Sequence, residues 1–139
     1  MARLMEDLSA GLAAFHSDLE EFISGITLVV MTEFGQRAYE NASLGTDHGY
    51  GGLMFVLGGS VTGGQVIARW PGLKKDNLVG PGDLAVTIDY RDVLSEILSM
   101  RLNNTAQAQI FPGYDAQPGG VVKQSIEDKG WKAGDGKKG

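Results

Sequence analysis

The run Ile26-Thr27-Leu28-Val29-Val30-Met31 constrains this chain most, because it is rich in β-branched residues and shows no apolar/polar alternation. It is far shorter than the roughly 20 apolar residues that span a bilayer. Without alternation it has no face for water, so it reads as a strand covered on both sides, a central parallel strand of an α/β sheet. Leu53-Met54-Phe55-Val56-Leu57 reads as a second buried strand. The residues around these two runs must supply the covering layers.

Ahead of the first run, Leu4, Leu8, Leu12, Phe15, Leu19, Phe22 and Ile23 recur at steps of three and four, one stripe of an amphipathic helix that Ser24-Gly25 ends. Further along, Asp89 is placed to cap a second helix, with Asp92 in its first turn, Val93, Leu94, Ile97 and Leu98 as its buried face, and an end near Leu102. Val61 to Ile67 has the form of two short strands around Gly63-Gly64, a hairpin arm. Pro71, Gly72, Pro81 and Gly82 bound a surface loop, and Leu84 to Ile88 form a short strand or extended lead-in. After Phe111-Pro112-Gly113-Tyr114 the composition turns to glycine and lysine, so the expectation is an α/β domain over 1–114 and a flexible tail over 115–139.

A length of 139 residues suits one domain, and 42% hydrophobic with 21% charged residues suits a packed globular one. The net charge of −5 argues against a nucleic-acid partner, whose phosphates need Lys and Arg. With no cysteine there is no disulfide, thiolate zinc site, iron–sulfur cluster or thiol nucleophile. No run is long enough for a membrane span, and the amino-terminal residues lack the pattern of a signal peptide. The default location is cytoplasmic, with export following only from a signal-bearing amino-terminal part.

Asp47-His48, flanked by glycines, is the sharpest chemical feature, since a carboxylate and an imidazole on a glycine-rich loop can both reach one cation. The same pair also reads as a polar turn in which Asp47 bonds nearby amides. Two ligands are fewer than a zinc site needs, so Glu33, just past the first strand, or another chain would complete the shell. Glu33 reads equally as the cap of a helix beginning near Gln36, and Arg37 reads as meeting an anionic substrate, pairing with Glu33 or, the favoured reading, pairing with Glu40 within that helix. His16 reads as an ordinary helical histidine. Gly58-Gly59 and Gly63-Gly64 lack the spacing of a phosphate loop.

The order of motifs carries a resemblance: Thr27 to Gly35, Gly45-Thr46-Asp47-His48-Gly49, Val56-Leu57-Gly58-Gly59, Arg69-Trp70-Pro71-Gly72-Leu73, Asp83 to Leu94, and Phe111-Pro112-Gly113. Over about residues 4 to 114 the chain resembles the carboxyl-terminal part of the bacterial family numbered 1501 among the domains of unknown function. That family is similar in turn to the alkaline phosphatase and sulfatase superfamily. The resemblance implies a small partial parallel sheet flanked by helices, and part of a metal site for hydrolysing phosphate or sulfate esters. Glu33-Phe34 stands where the superfamily has an Asp-His pair, with His48 as the later histidine; alternatively Asp47-His48-Gly49 falls directly on the Asp-His-Gly motif. Both alignments nominate His48 first, then Asp47 and Glu33, with zinc, manganese or calcium as the divalent cofactor. The nucleophile-bearing amino-terminal half has no counterpart here. Two functions are therefore expected: the carboxyl-terminal portion of a metal-dependent ester hydrolase, inactive alone, or a non-catalytic self-assembling or partner-binding module on the same scaffold. The partners are a second copy or the missing half on another chain.

Overall fold

The computed structural model describes residues 2–123. The apolar stripe expected as one helix up to Ser24-Gly25 is α-helical only over α1, Ala2–Asp18; the chain then tightens into a 3-10 turn over Glu20–Gly25 before strand β1, Thr27–Val30. Strands β2, Gly35–Glu40, and β3, Thr46–Gly49, form an antiparallel hairpin, and β4, Phe55–Gly58, returns to pair with β1. Helix α2 spans Tyr90–Leu102 and the single-turn α3 Gln107–Ile110.

The expected parallel sheet is corrected by the pairing of β1 with β4, which runs antiparallel with Thr27 opposite Gly58 and Val30 opposite Phe55. The physical reason lies in the connection. Parallel neighbours need a crossover, usually helical, whereas the chain between β1 and β4 folds into a hairpin that hands it back in the opposite direction. The helix expected near Gln36 is strand β2. Gly35 and Gly49 face each other in its register, and a Cβ on Gly35 would lie 2.2 Å from the Tyr50 carbonyl carbon, so the backbones cross there only because neither residue has a side chain. The turn closes on Asn41, whose Oδ1 accepts from the amides of Ser43 at 3.0 Å and Gly45 at 3.1 Å. The hairpin arm expected over Val61 to Ile67 does not form either: Val61 pairs with Val122 instead, and Val66 projects 91% exposed. Nor are the two apolar runs covered on both faces, since every residue of β1 is only half-buried and Phe55 of β4 is exposed.

Helix α2 begins as expected, with Asp89 as its cap accepting from the Arg91 amide at 2.9 Å. Bidentate bonding from the Arg91 guanidinium, at 2.9 and 2.7 Å, holds the Asp89 carboxyl below its usual range. At the other end Asn103 takes the left-handed conformation, and Arg101 donates to Thr27 Oγ1 and to the Ser24 carbonyl, fixing the helix to the start of β1.

The core sits where α2 meets a carboxyl-terminal strap, residues 114–123. The segment expected as a flexible tail packs on α2 as far as Lys123, while 124–139 lie outside the described residues. Its Val121 and Val122 join Ile97 as the buried apolar residues, with Val29, Val56, Val61 and Val93 packed against them. Polar side chains hold the strap. Glu96, 3% exposed, accepts from the amides of Gly119 at 2.7 Å, Gly120 at 2.9 Å and Val122 at 2.8 Å. Asp92, one turn earlier, accepts from the Tyr114 hydroxyl at 2.8 Å and the Gln117 amide at 2.7 Å. The strap then pairs with the segment after β4, Thr62 donating to the Val121 carbonyl and Lys123 to that of Ser60, both at 2.8 Å.

Two outcomes follow. Glu96→Ala strands three amide donors at once and destabilises the fold by about 3 kcal/mol or more, read from urea midpoints, while Glu96→Gln, which keeps one acceptor oxygen, costs less. The Tyr114 phenol, desolvated and donating to Asp92, is pushed up from 10.0 to about 12. The fold favours the protonated phenol, so its contribution is complete below pH 10 and lost as pH rises toward about 12. An ultraviolet titration of the four tyrosines should show one late group that Tyr114→Phe removes.

Candidate functional site

Strand β2 lies between β3 on one side and residues 82–84 on the other, with Ala38 donating to the Gly82 carbonyl at 2.9 Å and Leu84 to that of Gln36 at 3.1 Å. This small sheet presents Arg37, Thr46, Asp47 and His48 around one shallow, open groove of about 390 Å³. Asp47 and His48 are successive residues of a strand, so their side chains leave in opposite directions. Asp47 turns to Asn41 Nδ2, 3.0 Å, and Arg37 Nη1, 3.4 Å. His48 instead stacks on Phe34, the ring centroids 4.4 Å apart and the planes 16° from parallel.

Arg37 serves two acids. Its Nε also lies 3.3 Å from Asp83 Oδ1, and although both atoms are shielded from water, neither has an aligned hydrogen bond. With a carboxylate on each side the guanidinium is already neutralised, so the groove lacks the surplus positive charge that recognises a phosphate or sulfate. The Arg37–Asp47 pair is exposed and contributes at most about 1 kcal/mol.

The sequence-predicted residues are only partly brought together. Asp47 and His48 share the groove, while Glu33 is exposed in the link between β1 and β2. Among the described residues no three His, Asp or Glu side chains converge to hold an ion, so these residues do not by themselves fit a divalent metal, which takes three or four protein ligands. The pairing expected between Arg37 and Glu40 within a helix is replaced by the pairs with Asp47 and Asp83. Thr46, the hydroxyl in the groove, donates to Gln36 Oε1, so no base is positioned to activate it. His16 is exposed on α1.

Of the carboxylates that matter most to the architecture, Asp92 was expected only as a first-turn residue of its helix and Glu96 was not singled out from sequence. Asp92 and Glu96 are 9% and 3% exposed, and Ser95 between them is buried with its Oγ unpartnered. Their spacing of three and four residues places them on one stripe of α2, a pattern that in sequence looks like a solvated face. Gly119-Gly120, two consecutive residues with unshielded amides, was the available counterpart signal.

No curated protein and no solved structure matches the chain. One protein family does, over residues 1–108, a stretch that includes the hairpin, the groove and all of α2. The chain belongs to this family, described as a protein of unknown function, DUF1501.

Proposed function

We infer that this chain is a self-assembling module built on the family's α/β scaffold. One observation carries the reading: among the described residues the buried apolar set is Ile97, Val121 and Val122, while Leu4, Phe22, Leu53, Val66 and Trp70 are each more than 60% exposed. Large apolar side chains left in water mark protein contact sites where they gather into patches. Helix α1 is the extreme case. Its stripe runs from Leu4 to Phe15 with Leu8 and Leu12 only half-buried, and among the elements it packs chiefly on the 3-10 turn that follows it. The two-stranded β1–β4 sheet adds open edges that pair readily with another chain. Sedimentation velocity with light scattering should find a concentration-dependent oligomer. A compact, stable monomer at micromolar concentration overturns the reading.

A second reading is favoured by the groove, where Asp47 and His48 stand open to solvent. On it the chain contributes part of a metal-dependent phosphate or sulfate ester hydrolase site, with the other ligands and the nucleophile supplied by another chain. Divalent binding by zinc, manganese or calcium should then be lost in His48→Ala. Unchanged affinity in that variant ends this reading.

A further inference from the structure

The strap is an element whose fixing contacts nearly all reach across to the body of the chain. Asp92 takes Tyr114 and Gln117, Glu96 takes Gly119, Gly120 and Val122, and the 60–62 segment takes Val121 and Lys123. Arg91 lies 3.7 Å over the Tyr114 ring, and Val121 and Val122 fill the core beside Ile97. Each of these contacts is between a strap atom and a body atom. A strap arriving from a different copy, with the same sequence, reproduces every one of them.

What ties the strap to its own body is a single turn, Phe111-Pro112-Gly113. Pro112 and Gly113 are exposed, and the turn closes through Tyr114 donating to the Phe111 carbonyl at 3.1 Å, with Gly113 in the left-handed region at φ 73°. Opening it to extended chain loses that one hydrogen bond and needs no left-handed residue, which is the behaviour of a hinge. Charge does not oppose the joint locally: over 111–123 the strap carries one acid, Asp115, and one base, Lys123. Exchange also brings two bodies together, where apolar residues that each leaves exposed, such as Ile110 beside the hinge, can be covered.

We propose that two copies exchange residues 114–123, each laying its strap along α2 of the other, with Phe111-Pro112-Gly113 as the hinge. The proposal rests on the self-assembly reading and names the joint through which the copies are held.

The chain's lack of cysteine makes the test clean. Val61 and Val122 are opposed, and the flanking bonds from Thr62 to Val121 and from Lys123 to Ser60 make them a non-hydrogen-bonded antiparallel pair. Such pairs have Cα atoms about 4.5 Å apart, within disulfide reach. Val61→Cys and Val122→Cys are made as two separate full-length chains, mixed in equal amounts, unfolded, refolded together and oxidised. The double variant, which can close the bond in either arrangement, serves as the folding control. Exchange predicts that about half of the dimer in the mixture becomes covalently joined by random pairing of the two chains, released by reductant and mapped by mass spectrometry to a disulfide between the two substituted positions. A dimer by light scattering without that cross-link overturns strap exchange and leaves self-assembly standing. A monomer without it overturns both.

Discussion

Glu96 is a carboxylate that α2 turns inward, and three amides of the strap are its compensation. A buried charge is costly unless donors surround it, and charge-assisted bonds from Gly119, Gly120 and Val122 occupy both of its oxygens. The consequence spreads outward. Holding those amides fixes the backbone that carries Val121 and Val122, which bury Ile97 and rest on Val61. Val29 of β1 and Val56 of β4, cross-strand partners, pack on the same cluster, so the sheet and the helix share one small core with the strap as its third side. Two of its three buried apolar residues lie beyond the stretch that matches the family.

The hairpin obeys a different constraint. Its backbones approach so closely at Gly35 and Gly49 that side chains are excluded, and the polar residues between them are pushed to the rim. That geometry explains why Asp47 and His48 share a groove without sharing a direction. A strand separates neighbours to opposite faces, whereas an adjacent metal pair needs a turn or a loop to converge them. Thr46 to Gly49 is strand, and each side chain finds a separate partner, Arg37 and Asn41 for one and the Phe34 ring for the other.

How far the sequence foretold this depends on the range of the interaction. Helix α1, the Asp89 cap and the limits of α2 are local matters of periodicity and capping and were legible, whereas the stripe expected to stay helical to Ser24-Gly25 leaves the α-helix at Asp18 for a 3-10 turn. The two strand runs were legible as strands but not as antiparallel partners, because direction is decided by what lies between them, and Gln36 to Glu40 carries too weak a pattern to separate helix from strand without knowing that Gly35 meets Gly49. His48 and Asp47 were singled out as metal ligands or as a polar turn on a glycine-rich loop, yet they lie on strand β3, and their partners Phe34 and Arg37 come from the other side of the hairpin. Glu96 was overlooked for the same reason. Its donors are more than twenty residues away, and an acid on a helix resembles a solvated residue until the distant Gly-Gly is laid over it.

A core this small sets the terms on which the chain exists. Burial of apolar area is the main force favouring a fold, and here most large apolar side chains among the described residues remain at or near the surface. Polar clamps such as Glu96 and Asp92 can specify where a strap lies, but a hydrogen bond exchanged for one with water contributes only about 1 kcal/mol, so clamps cannot replace missing burial. On the self-assembly reading proposed above, further stabilisation comes from apolar surface that a second copy covers. Charge limits how that surface is used: with a net charge of −5, copies repel at long range, and contact between bare apolar faces needs something directional to hold the copies in register. On that reading, a strap that carries its own valines, its own amide donors and no net charge meets the requirement, and it links the clamp on α2 to the uncovered faces.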